Sequence, residues 1–414
     1  MREQLRVAII GTGAISHRHM KIWKHISQVS VIAAADINEM VLRAWGEKYH
    51  INNLYTDFRE LLKRDDIDAV DVCVHNNLHT PIAMAVMKAG LDCYSEKPMA
   101  ASYADSKLLY DCAKATGKKL AIQISSLFSA QTYIAKKLID AGRLGEIYHA
   151  RSAIASWRRR PCHDRMAVLC SPAFQDKQMA GHGPIVDIGV YHLGQMLYLI
   201  GLPELDTVFG CVHQKVLQNG DEWSRKHPVN VEDMGAGFAS FKKGISLEFM
   251  EASAINVGDV GKSYIAGSKG GLQYSWVDEF GGDWAMGEGK DEQLPQFMQP
   301  TLIFTGIDDF GFTVTMDYHP YDNQQNMKMY TPESTQWFDN QLHWFNYLTG
   351  KTSEETRYDT PLIALNASLL TEGLVISSEL GRAITADEIR ALSKSTAIWH
   401  QETAWGIFDY DSTL

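Results

Sequence analysis

The chain lacks any uninterrupted apolar run of the ~18 residues that a membrane-crossing helix needs, which argues against a spanning segment. It lacks a CxxC pair. Its six cysteines (Cys73, Cys93, Cys112, Cys162, Cys170 and Cys211) are scattered, and several sit in apolar strand-like or helical stretches where reduced, buried thiols are expected. Cys162-His163-Asp164 with Cys170 follows no common zinc spacing, so no metal is expected. Positive charge is also in short supply. At a net charge of −11 the basic footprint required by a phosphate backbone is missing, and nucleic acid is not an expected partner. Met1-Arg2-Glu3-Gln4-Leu5-Arg6 has no apolar signal core and runs straight into a strand, so the expected compartment is the cytoplasm.

What is present is a globular composition, 45% hydrophobic and 21% charged, spread over 414 residues. That length exceeds one comfortable core, so two domains are expected. In the first ~120 residues strands and helices alternate. Leu5–Ile10, Val31–Ala35, Ala69–Val74, Leu91–Tyr94 and Lys119–Gln123 read as strands, with helices from about Ala14, over Pro81–Ala89 and over Tyr103–Ala115. This spacing predicts parallel βαβ units in a doubly wound, Rossmann-type sheet.

Gly11-Thr12-Gly13-Ala14-Ile15-Ser16 falls in the first strand-to-helix turn. There Gly11 permits the turn and Gly13 lets the backbone approach a pyrophosphate at the helix N-terminus, with Ala14 and Ile15 in the same cradle. Ser16 replaces the third glycine of the dinucleotide fingerprint and is still small enough for close helix–strand packing. Asp36 ends the second strand 25 residues after Gly11, where an acid accepts hydrogen bonds from ribose hydroxyls. No arginine follows it directly, which favours NAD over NADP.

With these come Asn76-Asn77-Leu78-His79, Glu96-Lys97-Pro98, Ala141-Gly142-Arg143-Leu144-Gly145-Glu146-Ile147 and Asp187-Ile188-Gly189-Val190-Tyr191, in that order. The chain thereby resembles the Gfo/Idh/MocA oxidoreductases over most of its length. The resemblance implies NAD(P)-dependent chemistry on a sugar or cyclitol hydroxyl. It also implies a second domain with a large, mainly antiparallel sheet, and dimers or tetramers formed through that sheet. It puts Asn76 and His79 beside the cofactor, makes Glu96 and Lys97 a cofactor and catalytic pair, and implies a cis Lys97–Pro98 bond. His75 stands where the family commonly has proline.

Oxidising a secondary alcohol needs a hydride acceptor, which is the cofactor's part, and a proton acceptor with a charge-stabilising partner, which is the protein's. Lys97 is expected to stabilise the developing alkoxide. Asp187 and Tyr191 lie one helical turn apart, with Asp187 as orienter and Tyr191 as proton acceptor. His192, whose ordinary pKa suits the task better, is the rival. Trp157, Arg158 and Arg160, in Trp157-Arg158-Arg159-Arg160-Pro161, are substrate-binding candidates together with Asp187 and Tyr191, or else an edge strand with solvated arginines.

Domain boundaries at 1–123 and 124–414 are expected, the second domain being α+β. Strands are read at Glu146–Ala153, Val208–His213, Gly235–Phe241, Ile245–Ala252 and Lys262–Ala266, and helices at Thr132–Ala141, Phe338–Tyr347 and Pro361–Leu380, with Gly381 as C-cap. Gly281–Asn326 is ambiguous. The leading function is NAD-dependent oxidation of a ring hydroxyl of a sugar, glycoside or cyclitol, with C3 of a glucoside as one candidate position. A tightly NAD-bound enzyme that recycles hydride internally, and a sensor without chemistry, are the alternatives. A homo-oligomer is expected.

Overall fold

A computed structural model of the chain describes residues 4–155, 172–216, 229–257, 260–275, 301–307, 313–318, 336–352, 357–403 and 406–409. Strands β1 (Leu5–Ile10), β2 (Val29–Ala35), β3 (Asn53–Tyr55), β4 (Ala69–Val72), β5 (Asp92–Ser95) and β6 (Leu120–Ile122) build an all-parallel sheet ordered β3-β2-β1-β4-β5-β6. Helices α1 (Ala14–His25), α2 (Glu39–Tyr49), α3 (Phe58–Leu61), α4 (Asn76–Lys88) and α5 (Tyr103–Thr116) connect them. The central strands are almost wholly apolar because helices cover both faces. Strand β3, only three residues long, carries too little pattern to be seen in the sequence.

Register decides where this sheet can work. Ile10 pairs with both Ala35 and Val72, and Val72 pairs with Ser95, so β1, β2, β4 and β5 end level. The residues just beyond them, Gly11, Asp36, Cys73 and Glu96, share one rim. Strand order reverses between β1 and β4, which opens a crevice at that rim.

Helix α4 starts five residues earlier than the apolar pattern suggests, with Pro81 inside it. Proline has no N–H for the carbonyl four residues back. Here that carbonyl, Asn77 O, accepts the Ile398 N–H at 2.8 Å instead. A segment near the C-terminus thus repairs the helix that the proline would otherwise weaken.

The second sheet comprises β7 (Ile147–Ala155), β8 (Leu205–His213), β9 (Met234–Phe241), β10 (Ser246–Ala252), β11 (Ser263–Gly267), β12 (Gly270–Ser275), β13 (Thr301–Ile307), β14 (Thr313–Tyr318) and β15 (Ile384–Thr385). Its order is β14-β13-β12-β11-β7-β10-β9-β8-β15. Strands β7 and β10 pair in parallel and the other neighbours are antiparallel. Strands β13 and β14 resolve part of the ambiguous 281–326 segment; 281–300 lies outside the described residues. A small hairpin, β16 (His400–Thr403) with β17 (Gly406–Asp409), follows at the end.

The remaining helices are α6 (Ala130–Asp140), α7 (Lys177–Ala180), α8 (Pro184–Asp187), α9 (Gly189–Leu199), α10 (Gln336–Leu348), α11 (Thr360–Leu380) and α12 (Ala386–Leu392), of which α6, α8, α9, α11 and α12 pack on the second sheet. Helix α11 is buried on nearly all sides rather than along one stripe. It is long and apolar enough to cross a membrane, but most of it is buried between β8, β9, α9 and α5. The fit is close: a Cβ at Gly210 or Gly237 would come 2.0 or 2.4 Å from Leu374 Cδ1. Helix α10 instead packs on the first sheet, where the Trp344 ring lies 5.3 Å from Tyr94 and 6.1 Å from Trp23. Burying one such indole contributes roughly 2–3 kcal/mol and ties the C-terminal half to the N-terminal one.

His343 on α10 sits between the Phe128 and Tyr358 rings, and its Nε2 accepts the Tyr358 N–H at 3.1 Å, which requires an unprotonated nitrogen. Burial, helped by Arg357, lowers its pKa to about 4. The unfolded chain therefore binds this proton first, near its ordinary pKa of ~6.5, so the contribution is complete above ~6.5 and is lost as pH falls toward 4. The loss is on the order of 2 kcal/mol. His343→Gln keeps an acceptor and should remove part of the fall in melting temperature between pH 7 and 4.5 seen by calorimetry. An unchanged slope would refute this account.

Candidate active site

Gly11 has φ +92°, and a Cβ there would lie 2.3 Å from Cys73 O, so the turn from β1 into α1 can press against the end of β4 only with glycine. Gly13, the N-cap of α1, has the opposite surroundings: a Cβ would meet nothing within 4 Å, and no side chain caps the helix. Gly13 and Ala14 are exposed and Ile15 is half-buried. The start of α1 thus offers uncapped amides to open space above the rim, as a pyrophosphate requires. Asp36 accepts from Thr12 N at 2.7 Å, Thr12 Oγ1 at 3.0 Å and Asn38 N at 2.8 Å. It is held rigidly, is only half-buried, and retains acceptor capacity for a ribose hydroxyl. These residues fit an NAD dinucleotide.

Asn76 and His79 lie farther along the rim. Asn76 begins α4, and its Nδ2 donates to Ala180 O at 3.3 Å, reaching across to the second half of the chain. His79 is fully buried, with Nδ1 2.6 Å from Pro98 O and Nε2 3.0 Å from Val74 O. It bridges the loops after β4 and β5 and supports the site from below. Burial lowers its pKa against the pull of the two carbonyls. His75, half-buried at the N-cap of α4, sits within reach of the Asp36 charge.

Glu96 and Lys97 point in different directions. Glu96 faces inward, accepting from His19 Nε2 at 2.8 Å and from Lys97 N at 2.9 Å. Burial acts to raise its pKa, but the His19 hydrogen bond and charge outweigh it and hold the carboxyl below its usual range. Lys97 faces outward. Its Nζ bonds Asp187 Oδ1 at 2.9 Å and Asp187 O at 3.1 Å, with both side chains largely buried. The Lys97–Pro98 peptide is cis.

A break at Ile188 divides α8 from α9, so Asp187 ends one short helix and Tyr191 lies in the first turn of the next. Both still converge on Lys97, whose Nζ lies 5.1 Å from the Tyr191 ring centroid. The Tyr191 hydroxyl donates to Gln123 Oε1 at 3.4 Å, and Ser126 Oγ holds the Tyr191 carbonyl at 2.6 Å. His192 is turned to the second sheet: Nδ1 lies 3.1 and 3.2 Å from the Glu251 oxygens, in a buried pair. Burial raises the Glu251 pKa, opposed by His192. His182, also buried, has its pKa lowered to about 4 by that burial.

Trp157, Arg158 and Arg160 lie outside the described residues, as do Cys162 and Cys170. Cys73, Cys93 and Cys112 are buried, as expected of several of the cysteines, whereas Cys211 is exposed on the outer face of β8. The sequence reading missed Gln123, His19 and Asp71. Gln123 had a usable signal, since it directly follows β6 at the edge where such sheets bind ligands.

The chain matches the family described as "Oxidoreductase family, NAD-binding Rossmann fold" over residues 5–124 and the GFO/IDH/MocA C-terminal domain over residues 133–273. It is 27% identical to the D-glucoside 3-dehydrogenase of Escherichia coli over 258 residues, 61% of this chain and 71% of that protein. It is 27% identical to the levoglucosan dehydrogenase of Pseudarthrobacter phenanthrenivorans over 252 residues, 56% and 63% of the two. It is 28% identical to the myo-inositol 2-dehydrogenase of Thermotoga maritima over 221 residues, 52% and 62%. The match thus spans less than two thirds of the latter two proteins. A levoglucosan dehydrogenase solved with NADH shares the fold at TM-score 0.72 and 19% identity, covering 92% of this chain and 99% of that one.

Tyr191→Phe should lower kcat about 10²-fold with little change in melting temperature. His192→Ala strands Glu251 in the interior, so it should cost roughly 3 kcal/mol of stability while the folded fraction keeps kcat within a few-fold. If His192→Ala abolishes turnover and Tyr191→Phe does not, these assignments are reversed.

Proposed function

The chain belongs to the Gfo/Idh/MocA family of NAD-binding oxidoreductases, and from that premise we propose that it oxidises a ring hydroxyl of a sugar, glycoside or cyclitol. The observation that carries the reading is the Lys97–Asp187 contact. It joins the rim of the dinucleotide crevice to the end of α8, just before α9, in the other half of the chain. The names of the relatives, a glucoside, a levoglucosan and an inositol dehydrogenase, support the substrate class.

Bound NAD supplies the acceptor for the hydride that leaves the carbinol carbon. The chain's own residues manage the oxygen and its proton. Lys97 Nζ donates a hydrogen bond to the reacting oxygen and stabilises the negative charge that grows there. Asp187 pairs with the ammonium and aims it, in a space where a lone buried cation would be costly. Tyr191 Oη accepts the hydroxyl proton as a phenolate, a form favoured by the ammonium above the ring. Gln123 serves both protonation states. Its Oε1 accepts from the phenol, and rotating the carboxamide turns Nε2, a buried atom without a partner among the described residues, toward the phenolate.

Among the described residues no helix covers the outer face of the second sheet. Phe209 and Phe238 stand directly opposite each other on β8 and β9, 54% and 48% exposed, and His149 stacks on Phe238. A second copy of the chain is the occupant we propose for this face, since an exposed aromatic pair on a sheet can meet its own copy across a two-fold axis.

Two outcomes are expected. Across a panel of glycosides, free sugars and cyclitols, some should reduce added NAD, read by absorbance of the reduced nicotinamide, and Lys97→Met should cut kcat by about 10²–10³-fold. No reduction across the panel would overturn the proposal. Phe238→Asp should lower the mass seen by light scattering toward that of one chain, and an unchanged mass would remove the sheet as the interface.

A further inference from the structure

Beneath the Lys97 loop lies a charged cluster that touches no substrate. Helix α1 contributes His19 and Trp23, β4 and the residue after it contribute Asp71 and Cys73, and the end of β5 contributes Glu96. His19 and Asp71 are fully buried and Glu96 is 4% exposed. His19 Nδ1 lies 2.9 and 3.0 Å from the Asp71 oxygens, and Nε2 lies 2.8 Å from Glu96 Oε1. Trp23 Nε1–H donates to Asp71 at 2.6 Å and the Cys73 thiol lies 3.5 Å from it, as suits an ionised carboxylate. Glu96 also accepts the Lys97 N–H on its other oxygen, so it is an acceptor on both sides. A ring whose two nitrogens each face a carboxylate has an acceptor for a proton on both, the arrangement that suits an imidazolium.

The same atoms could be mistaken for a metal site, since ligand atoms of His19, Asp71 and Cys73 lie within 4.8 Å of one another. But Nδ1 donates to Asp71, and burial pushes the Cys73 thiol up to about 12, so neither is a ready ligand. The remaining neighbour, Tyr94, presents a ring 5.8 Å away and is kept neutral by burial. Burial opposes the charge on His19, yet Asp71 outweighs it and the pKa is raised well above its usual value.

We propose that His19 is a positioning residue: its imidazolium fastens Glu96, and through Glu96 the backbone of Lys97, to the helix that receives the dinucleotide. The connection runs from Asp71 to His19, to Glu96, to the Lys97 N–H. The catalytic ammonium and the cofactor helix are thereby held as one body. A misplacement of about 1 Å at such a group costs about 10²-fold in rate. The proposal rests on the reading of Lys97 as the catalytic cation.

The test combines imidazole NMR of the histidine-labelled full chain with steady-state kinetics and NAD titration. In the wild type the His19 resonances should stay in the charged form from pH 6 to 9. In Glu96→Gln the amide oxygen can still accept the Lys97 N–H, but the amide nitrogen then faces Nε2, so His19 should become neutral. Both Glu96→Gln and His19→Gln should lower kcat about 10- to 100-fold while the NAD Kd stays within about threefold. A merely structural role would instead lower melting temperature, NAD affinity and kcat together. A neutral His19 in the wild type, or variants with kcat within twofold of wild type, would overturn the proposal. Should His19→Gln fail to fold, the wild-type charge state and the Glu96→Gln kinetics decide. An active Lys97→Met would sink the functional reading and the positioning role with it, whereas an inactive Lys97→Met beside variants of His19 and Glu96 that keep kcat would sink the positioning role alone.

Discussion

Lys97 carries its ammonium into a space from which most water is excluded, and Asp187, offering a carboxylate oxygen at 2.9 Å and a carbonyl at 3.1 Å, makes that burial tolerable. Much else in the structure can be understood as support for this contact. From the first sheet, the pairing register brings Gly11, Asp36, Cys73 and Glu96 to one rim, and Lys97 follows directly. From the second half of the chain, the break at Ile188 lets α8 end and α9 begin within reach of it. Neither half contains both charges, so the site exists only where the two halves meet.

The packing that keeps the halves together is distributed and mostly apolar. Helix α10 returns to the first sheet with Trp344, while α11 lies between the second sheet and α5. Polar contacts add direction. Asp105 on α5 accepts from Ser395, Thr396 and Ala397, and Ile398 takes the carbonyl freed by Pro81. The C-terminal segment is thereby stitched to the first turn of α5 and to the start of α4, next to the cofactor crevice.

Much of this was legible in advance because local chemistry demands particular residues at particular spacings. A tight β–α turn with an open helix start needs Gly11 and Gly13, and an acid at the end of the neighbouring strand is legible as Asp36. The choice between Tyr191 and His192 was not legible, because the two are adjacent and a helix turns each to a different side. Only the partners distinguish them: Lys97 and Gln123 for the tyrosine, Glu251 for the histidine. The start of α4 was misjudged for a related reason. Pro81 reads as a helix boundary when its only considered partner is its own chain segment, and the compensating N–H lies more than 300 residues away, at Ile398.

The sequence by itself determined the alternation of strands and helices, the dinucleotide turn and the kinds of side chain available for chemistry, since these follow from backbone propensity and short-range spacing. Tertiary structure alone decided which side chains meet. His19 looks like one more polar residue on α1 until β4 and β5 bring carboxylates to both of its nitrogens. Asp187 and Lys97, 90 positions apart, become one ion pair only when two sheets have folded and docked. Long-range charge pairing depends on distances that no local pattern encodes. That is why the cofactor domain could be read from the chain, while the arrangement of its acids, bases and supports could not.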